Sequence, residues 1–340
     1  MTKNESARLL ASTLANTHSL ERAPSHIVVR DLIGLQAQFS RNPELSLRLR
    51  ANDLNAHPWD DGLVKIWCQR STIHVIRRDE LGLYLSAADQ RGDYRDGWWG
   101  MTSKEQAYWA PFIEEQIALG VNTRDMLKEV CLKKGMSPEL LQKAFYGWGG
   151  LIKEMVRRGR IVCGTGTDKR YALAGEVQWM DRDEARLKLI RRYFDTYGPA
   201  TRKDCAAFFQ WSNQEVKPLL DSVLHEIDSI QIDCICYYYS KPLPDDTVPE
   251  CVLLPGFDST VLAYRDRSRM IDPMHLRKVV NMAGIVFPIA LLRGKARAKW
   301  KLQNNRMEVE PFERLLKKDI AALRRTAKKE LGIKELQIIE

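Results

Sequence analysis

The 340-residue sequence predicts an α+β fold: three tandem winged-helix units followed by a small C-terminal β-barrel. Two observations carry this. Stretches of helical periodicity that end in a strand pair recur along the first 240 residues, and after Pro242-Leu-Pro244 and Pro249 the pattern changes to short apolar strands. With 44% hydrophobic and 29% charged residues the composition is near the globular average, so the chain is expected to be folded throughout.

The segment 1–98 opens with Glu5 to Leu14, where Leu9, Leu10 and Leu14 share one helical face. Ser25 is the expected N-cap of a second helix through Ile27, Val28, Leu32 and Leu35, and Asn42-Pro43 opens a third through Leu45, Leu47 and Leu49. Leu63 to Trp67 and Thr72 to Ile76 read as strands around Cys68-Gln-Arg-Ser71, a hairpin with a basic tip. In the segment 99–180, Thr123 caps one helix, Ser137-Pro138 opens another and Leu151 to Arg158 forms a third. Arg160 to Cys163 and Arg170 to Leu173 then flank a wing turn at Gly164 to Asp168. In 181–240, helices start at Asp183, Thr201 and Asn213, the last ending near Glu226, and Ile227 to Ile235 supplies one strand of unclear partner. In 241–340, Val252 to Leu254, Gly284 to Leu292 and Ala296 to Leu302 read as strands, with Arg293-Gly294 as a tight turn. Phe312 to Glu330 closes as an amphipathic helix with a basic face.

Several function classes are excluded or disfavoured. The longest uncharged apolar run, Gly284 to Leu292, contains Pro288 and is under half of the about 20 residues that a spanning helix needs. Arg8, Ser12 and Thr13 interrupt the N-terminal apolar stretch, so no signal peptide is read. Seven scattered cysteines, an odd number, point to reduced thiols and a cytoplasmic location. The six histidines show no ligand spacing and Cys234-Ile-Cys236 lacks a second close pair, so neither metal nor cofactor is expected. Gly164-Thr-Gly166 stands alone and reads as a turn, not as a phosphate loop. The formal net charge of +9 makes nucleic acid the first partner to consider. Exposed tryptophans can stack on bases, but sequence assigns none of Trp98, Trp99 or Trp148 to that task.

The informative stretch is Leu32-Ile-Gly-Leu-Gln36-Ala-Gln38-Phe-Ser-Arg-Asn-Pro43. On an ideal helix, residues two apart diverge by about 200°, whereas extended backbone sets them on one side. Pro43 favours termination upstream, so the helix is expected to end near Leu35 with both amides projecting from an irregular segment into one open cleft. On spacing alone, a polar helix end with two solvated glutamines is the more economical reading.

The segment Gly34-Leu-Gln36-Ala-Gln38 resembles the Gln-apolar-Gln signature of the AlkZ/YcaQ-like DNA glycosylases, a winged-helix superfamily. Arg70-Ser-Thr-Ile-His74-Val-Ile is similar to that family's Arg-Gly-Thr-Leu-His-Leu pattern, with Ser71 in place of glycine. Leu253-Leu-Pro-Gly-Phe-Asp258 and Tyr264-Arg-Asp-Arg267 resemble its Leu-Leu-Pro-x-Phe-Asp and Tyr-x-Asp-Arg blocks. Arg293-Gly-Lys-Ala-Arg-Ala-Lys-Trp300 is like its Asp-Gly-Arg-x-x-Gly-x-Trp turn, except that Ala298 replaces glycine. Gln38, where the YcaQ-type branch has aspartate, points to the AlkZ-like branch. The resemblance implies three winged helices and a β-barrel in a C shape. It also implies excision of alkylated purines from double-stranded DNA and unhooking of interstrand crosslinks.

An N7-alkylated purine already carries positive charge, so its glycosidic bond breaks without a general acid. A glutamine cannot titrate, but its carbonyl accepts a hydrogen bond and its dipole opposes developing positive charge. The expected enzyme is therefore monofunctional, with Gln38 positioning water and Gln36 facing the sugar or lesion. Arg70, Thr72 and His74 are candidate DNA contacts, His74 being equally readable as a structural partner of its hairpin. Arg265, Arg267, Arg293, Lys295 and Arg297 are candidate phosphate contacts or plain solvated surface. Asp258 is expected to buttress the cleft or to cap a turn. A monomer is expected. The alternatives are a non-catalytic winged-helix regulator, or a scaffold that binds lesions and releases nothing.

Overall fold

The computed structural model describes residues 2–54, 62–88, 92–97, 99–147, 149–166, 169–245 and 247–339, a mixture of helices and strands. Trp98, Trp148 and the Thr167-Asp168 part of the expected wing turn lie outside these residues. The chain divides into two units, Trp59–Arg186 and the combination of Met1–Pro58 with Leu187–Glu340.

In the unit Trp59–Arg186, strand Leu63–Trp67 pairs antiparallel with Ile73–Arg77, which sets Ile66 opposite His74. Lys65 pairs with Cys163, and Ile161–Cys163 pairs with Tyr171–Leu173. Helices Ser103–Ala118, Arg124–Lys133 and Pro138–Ala144 begin at Thr102, Thr123 and Ser137, whose hydroxyls each accept a backbone N–H of the first turn. Each such cap contributes about 1 kcal/mol. The apolar faces of these helices and of Gly150–Arg157 bury Trp109, Ile113, Leu127, Leu151, Met155 and Val156.

In the other unit, helix Lys3–Asn16 starts with a capping box between Thr2 and Glu5. The second helix is Ser25–Asp31, and its N-cap is Pro24, not Ser25. The Ser25 backbone N–H and hydroxyl both turn to Asp53. The third helix, Arg41–Arg50, carries Pro43 in its first turn, where a missing N–H costs nothing. Helix Arg182–Tyr197 buries Tyr193, Phe194 and Tyr197, and Asn213–Asp221 ends short of Glu226. The single strand expected over 227–235 is instead a hairpin, Asp228–Ile232 with Ile235–Tyr239, closed by Asp233 and Cys234 at φ of 47° and 61°. A two-residue turn with both φ positive ordinarily announces itself by Asn-Gly, and here it does not.

Five strands form the C-terminal sheet in the order Glu335–Ile338, Arg306–Pro311, Lys295–Gln303, Ile289–Leu292 and Cys251–Leu254. The first pair is parallel and the others antiparallel. Among the described residues no ladder joins the two outer strands, so the sheet is open where a closed barrel was expected. The strand expected from Gly284 begins only at Ile289, after Pro288, which cannot donate to a ladder. Arg293 and Gly294, at φ of 47° and 80°, make the expected tight turn, and Ala298 is accommodated in the core beside a register shift. Helix Lys317–Leu331 lays Ala322, Leu323, Ala327 and Leu331 on the core formed by Leu253, Leu292, Trp300, Met307 and Val309. Each large apolar side chain buried there contributes about 1.5–3 kcal/mol, more than any single cap.

All seven cysteines are free thiols; Cys131, Cys163, Cys205 and Cys251 are buried, whereas Cys234 is exposed. No helix among the described residues is long and apolar enough to cross a membrane.

Candidate functional site

The segment that carries the two amides is built by a helix that cannot continue. Ser25–Asp31 stops at a turn in which Ile33 and Gly34 take φ of 57° and 79°. The carbonyls left over at the helix end are satisfied from another helix: Thr196 Oγ1 donates to the Asp31 carbonyl and Tyr197 OH to that of Leu32, both at 2.7 Å. Leu35–Gln36 then runs extended, and helix Arg41–Arg50 starts after Ser40. The helix thus ends four residues earlier than the expected Leu35, with Gln36 on a short extended stretch and Gln38 just beyond it.

Gln36 is 7% exposed and lines a crevice of about 10 Å³ with Asn42, Ser46, Pro255, Phe257 and Asp258. That volume is about what one water needs. Gln38 is half-buried, outside that lining, and Phe39 beyond it is exposed. The structure therefore brings Gln36 to Asp258, with Asn42 and Ser46 added, but does not set Gln38 in the same crevice. The crevice is a narrow slot and not the open cleft expected around both amides.

Asp258 is 2% exposed and is held by Arg50, whose Nη2 lies 3.0 Å and 2.9 Å from its two carboxylate oxygens. Arg50 also donates from Nε to the Thr17 carbonyl at 2.9 Å and from Nη1 to Ser46 Oγ at 3.1 Å. Asp258 in turn caps helix Ser259–Leu262 by accepting the Thr260 N–H at 2.8 Å. A buried charge is tolerable when paired and hydrogen-bonded in this way. Arg50 escaped the sequence reading; its signal was the i, i+4 spacing from Ser46 on a helix that otherwise presents leucines.

The hairpin that carries Arg70, Thr72 and His74 lies in the unit Trp59–Arg186. His74 is 1% exposed, with Nδ1 3.0 Å from the Thr72 carbonyl and Nε2 3.0 Å from Arg70 Nη2. A guanidinium can only donate, so Nε2 accepts and the proton sits on Nδ1. Burial, and then the positive charge of Arg70, hold His74 well below its ordinary pKa, in the neutral form. His74 is thus turned inward against Arg70 and the Thr72 carbonyl, the two readings of the sequence having been a DNA contact or a structural partner of its hairpin. Arg70 itself, at φ 56°, is half-buried at the hairpin tip.

The other candidate cations are differently engaged. Arg265 is exposed on a cleft of about 770 Å³ lined also by Arg202, Lys203, Tyr237 and Arg269. Arg267 is tied inward, donating from Nε to the Val261 carbonyl at 2.9 Å, and burial lowers its pKa. Arg293 pairs with Asp319 at 2.5 Å, Lys295 donates to the Ser268 carbonyl at 2.8 Å, and Arg297 pairs with Glu313 at 3.3 Å. Among the described residues no group of three or more His, Cys, Asp or Glu side chains is placed to hold a metal ion.

The family model for AlkZ-like DNA glycosylases matches residues 29–331. A protein of Streptomyces sahachiroi named interstrand DNA cross-link repair glycosylase is 27% identical over 318 residues, covering 84% of each chain. The solved structure of Streptomyces sahachiroi DNA glycosylase AlkZ superposes with a TM-score of 0.80 at 22% identity, covering 98% of each chain.

Proposed function

From the premise that this chain belongs to the AlkZ-like DNA glycosylase family, we propose that it hydrolyses the N-glycosidic bond of cationic N7-alkylated purines in duplex DNA, crosslinked ones included. The observation that carries the proposal is the broken helix after Asp31, which presents Gln36 against the Asp258 loop and Gln38 two residues farther on. In this reading Gln38, the more accessible amide, orients the attacking water through its carbonyl oxygen. Gln36, held beside the paired Asp258, directs its dipole at the sugar.

The water oxygen bonds to C1′ as the C1′–N9 bond breaks, and the electron pair of that bond neutralises the charge on the departing base. The proton released from water passes to solvent past the Gln38 carbonyl. No amine nucleophile enters, so the product is an abasic site. One such preorganised group is worth about 2.7–4 kcal/mol, which suits an already activated bond and not an unmodified nucleoside. The slot beside Gln36, at about 10 Å³, is far too small for a purine, which agrees with a base that stays tethered across the duplex instead of being flipped into a deep pocket. We read segments 1–98, 99–180 and 181–240 as winged helices and 241–340 as an open-sheet domain of a protein that acts on duplex DNA as a monomer, with Arg70 and Arg265 as phosphate contacts.

The test is release of free base from duplex carrying N7-methylguanine or a defined crosslink. Gln36→Ala and Gln38→Ala are each expected to slow release about 10²–10³-fold while duplex binding persists. Release at the parental rate by the double variant would remove both residues from the chemistry. Lesion binding by a parent that releases nothing would make the protein a scaffold.

A further inference from the structure

Phe39 follows Gln38 directly and leaves 48% of its surface exposed. A lone exposed apolar residue is ordinary on a protein surface; what sets Phe39 apart is how its underside is built. Its ring lies on that of Phe257, with centroids 5.5 Å apart and planes 29° from parallel. Phe257 is 9% exposed, sits at φ 54°, and donates its backbone N–H to the Val286 carbonyl at 3.1 Å. Gly256 beside it is closely enclosed, since a Cβ there would stand 3.1 Å from Asn42 Oδ1 and 3.2 Å from the Val286 carbonyl. The lower ring is therefore fixed by the same loop that brings Asp258 to the crevice, and the upper ring is supported from below while open to solvent.

We propose that Phe39, seated on Phe257, is a stacking platform for a base at the damaged step of the duplex. Every base has a π face, so such a platform is tolerant of sequence and lesion alike. A base that lies on the ring has left its stacked neighbour, which exposes the sugar to attack from outside the helix. A base that cannot enter the slot beside Gln36 needs a surface to lie on, and Phe39 is the aromatic next to the amides. This inference rests on the reading of Gln36 and Gln38 as the site of base excision, and adds to it the group that receives the base.

The experiment compares the full-length parent with Phe39→Ala, Phe39→Leu and Phe39→Trp. The probe is a duplex carrying N7-methylguanine with 2-aminopurine as the neighbouring base. Binding by the parent and by Phe39→Trp is expected to raise 2-aminopurine fluorescence as the step unstacks. Phe39→Ala and Phe39→Leu are expected to lose that rise and to slow single-turnover release about 5- to 150-fold, the span of one stacked base. Release and fluorescence equal to the parent's in Phe39→Leu would overturn the platform. If the parent itself releases no base, the excision reading fails, and the fluorescence arm alone judges Phe39: a rise lost in Phe39→Leu supports the platform, and an unchanged rise refutes it. Should Phe39→Ala fail to fold, Phe39→Leu and Phe39→Trp make the same comparison.

Discussion

At the scale of single residues, the imidazole of His74 is buried and holds Arg70. Its neighbours, the Thr72 carbonyl and Arg70, fix one tautomer, and burial keeps it uncharged. An unfolded histidine takes up a proton near its ordinary value of 6.5, and this one, folded, resists doing so. Below that pH the unfolded state binds more protons, so the contribution of His74 is complete above pH 6.5 and is lost as the pH falls toward the folded value. The slope is up to about 1.4 kcal/mol per pH unit. His74→Gln is expected to narrow the drop in melting temperature between pH 7.5 and pH 5.5. Equal drops in parent and variant would mean that His74 is not held neutral. The motif Gln36-Ala-Gln38 and the block ending in Asp258 were legible in the sequence because each is short and local. Arg50 was not, since its partners Thr17 and Asp258 are distant in the chain and only folding brings them to it.

The elements were legible where local chemistry decides them. Thr123, Ser137 and Thr201 cap helices with their own hydroxyls, a signal confined to four residues, whereas the helix Ser103–Ala118, capped in the same way by Thr102, went unread. The turn at Ile33-Gly34 was not legible, since the expected helix ran through both residues to Leu35, and the site depends on it. At φ 79° Gly34 occupies a region that costs a side chain about 1 kcal/mol. Gly34→Ala is expected to lower the melting temperature by only a few degrees but to reduce kcat/KM for base release far more, because Leu35–Gln36 leaves the turn at a new angle. A loss of activity no greater than the loss of stability would detach the turn from the site. The hairpin at Asp233-Cys234 was missed as well: Asp233 tolerates a left-handed backbone but Cys234 does not signal one, and the strand run continues through both. Strands Arg306–Pro311 and Glu335–Ile338 went unread although each alternates polar with apolar residues; both are short, and their parallel pairing is set by the sheet.

For the whole molecule, the net charge of +9 governs how a duplex is found and held. Binding that neutralises phosphates weakens linearly with the logarithm of salt concentration, with about 0.9 in slope for each contact. Arg265, exposed on its cleft, is expected to account for about one of these, so Arg265→Ala should flatten the slope by about 1 without changing lesion preference. An unchanged slope in binding titrations from 50 to 200 mM salt would take Arg265 off the DNA path. Arg293, Lys295 and Arg297 already have carboxylate or carbonyl partners, and charge counting along the sequence could not reveal that. The placement of the thiols matters in a different way if the proposed function holds and the protein works beside alkylated purines. Sulfur attacks an electrophile as the thiolate. Burial pushes Cys131 and Cys163 up to about 12, Cys251 to about 11 and Cys205 higher than its usual range, so these four meet a reagent only as sluggish, un-ionised thiols. Poisons that modify purines thus find the interior sulfur chemically silent, and Cys234, out on a hairpin turn, is the place where a stray alkyl group would first be caught.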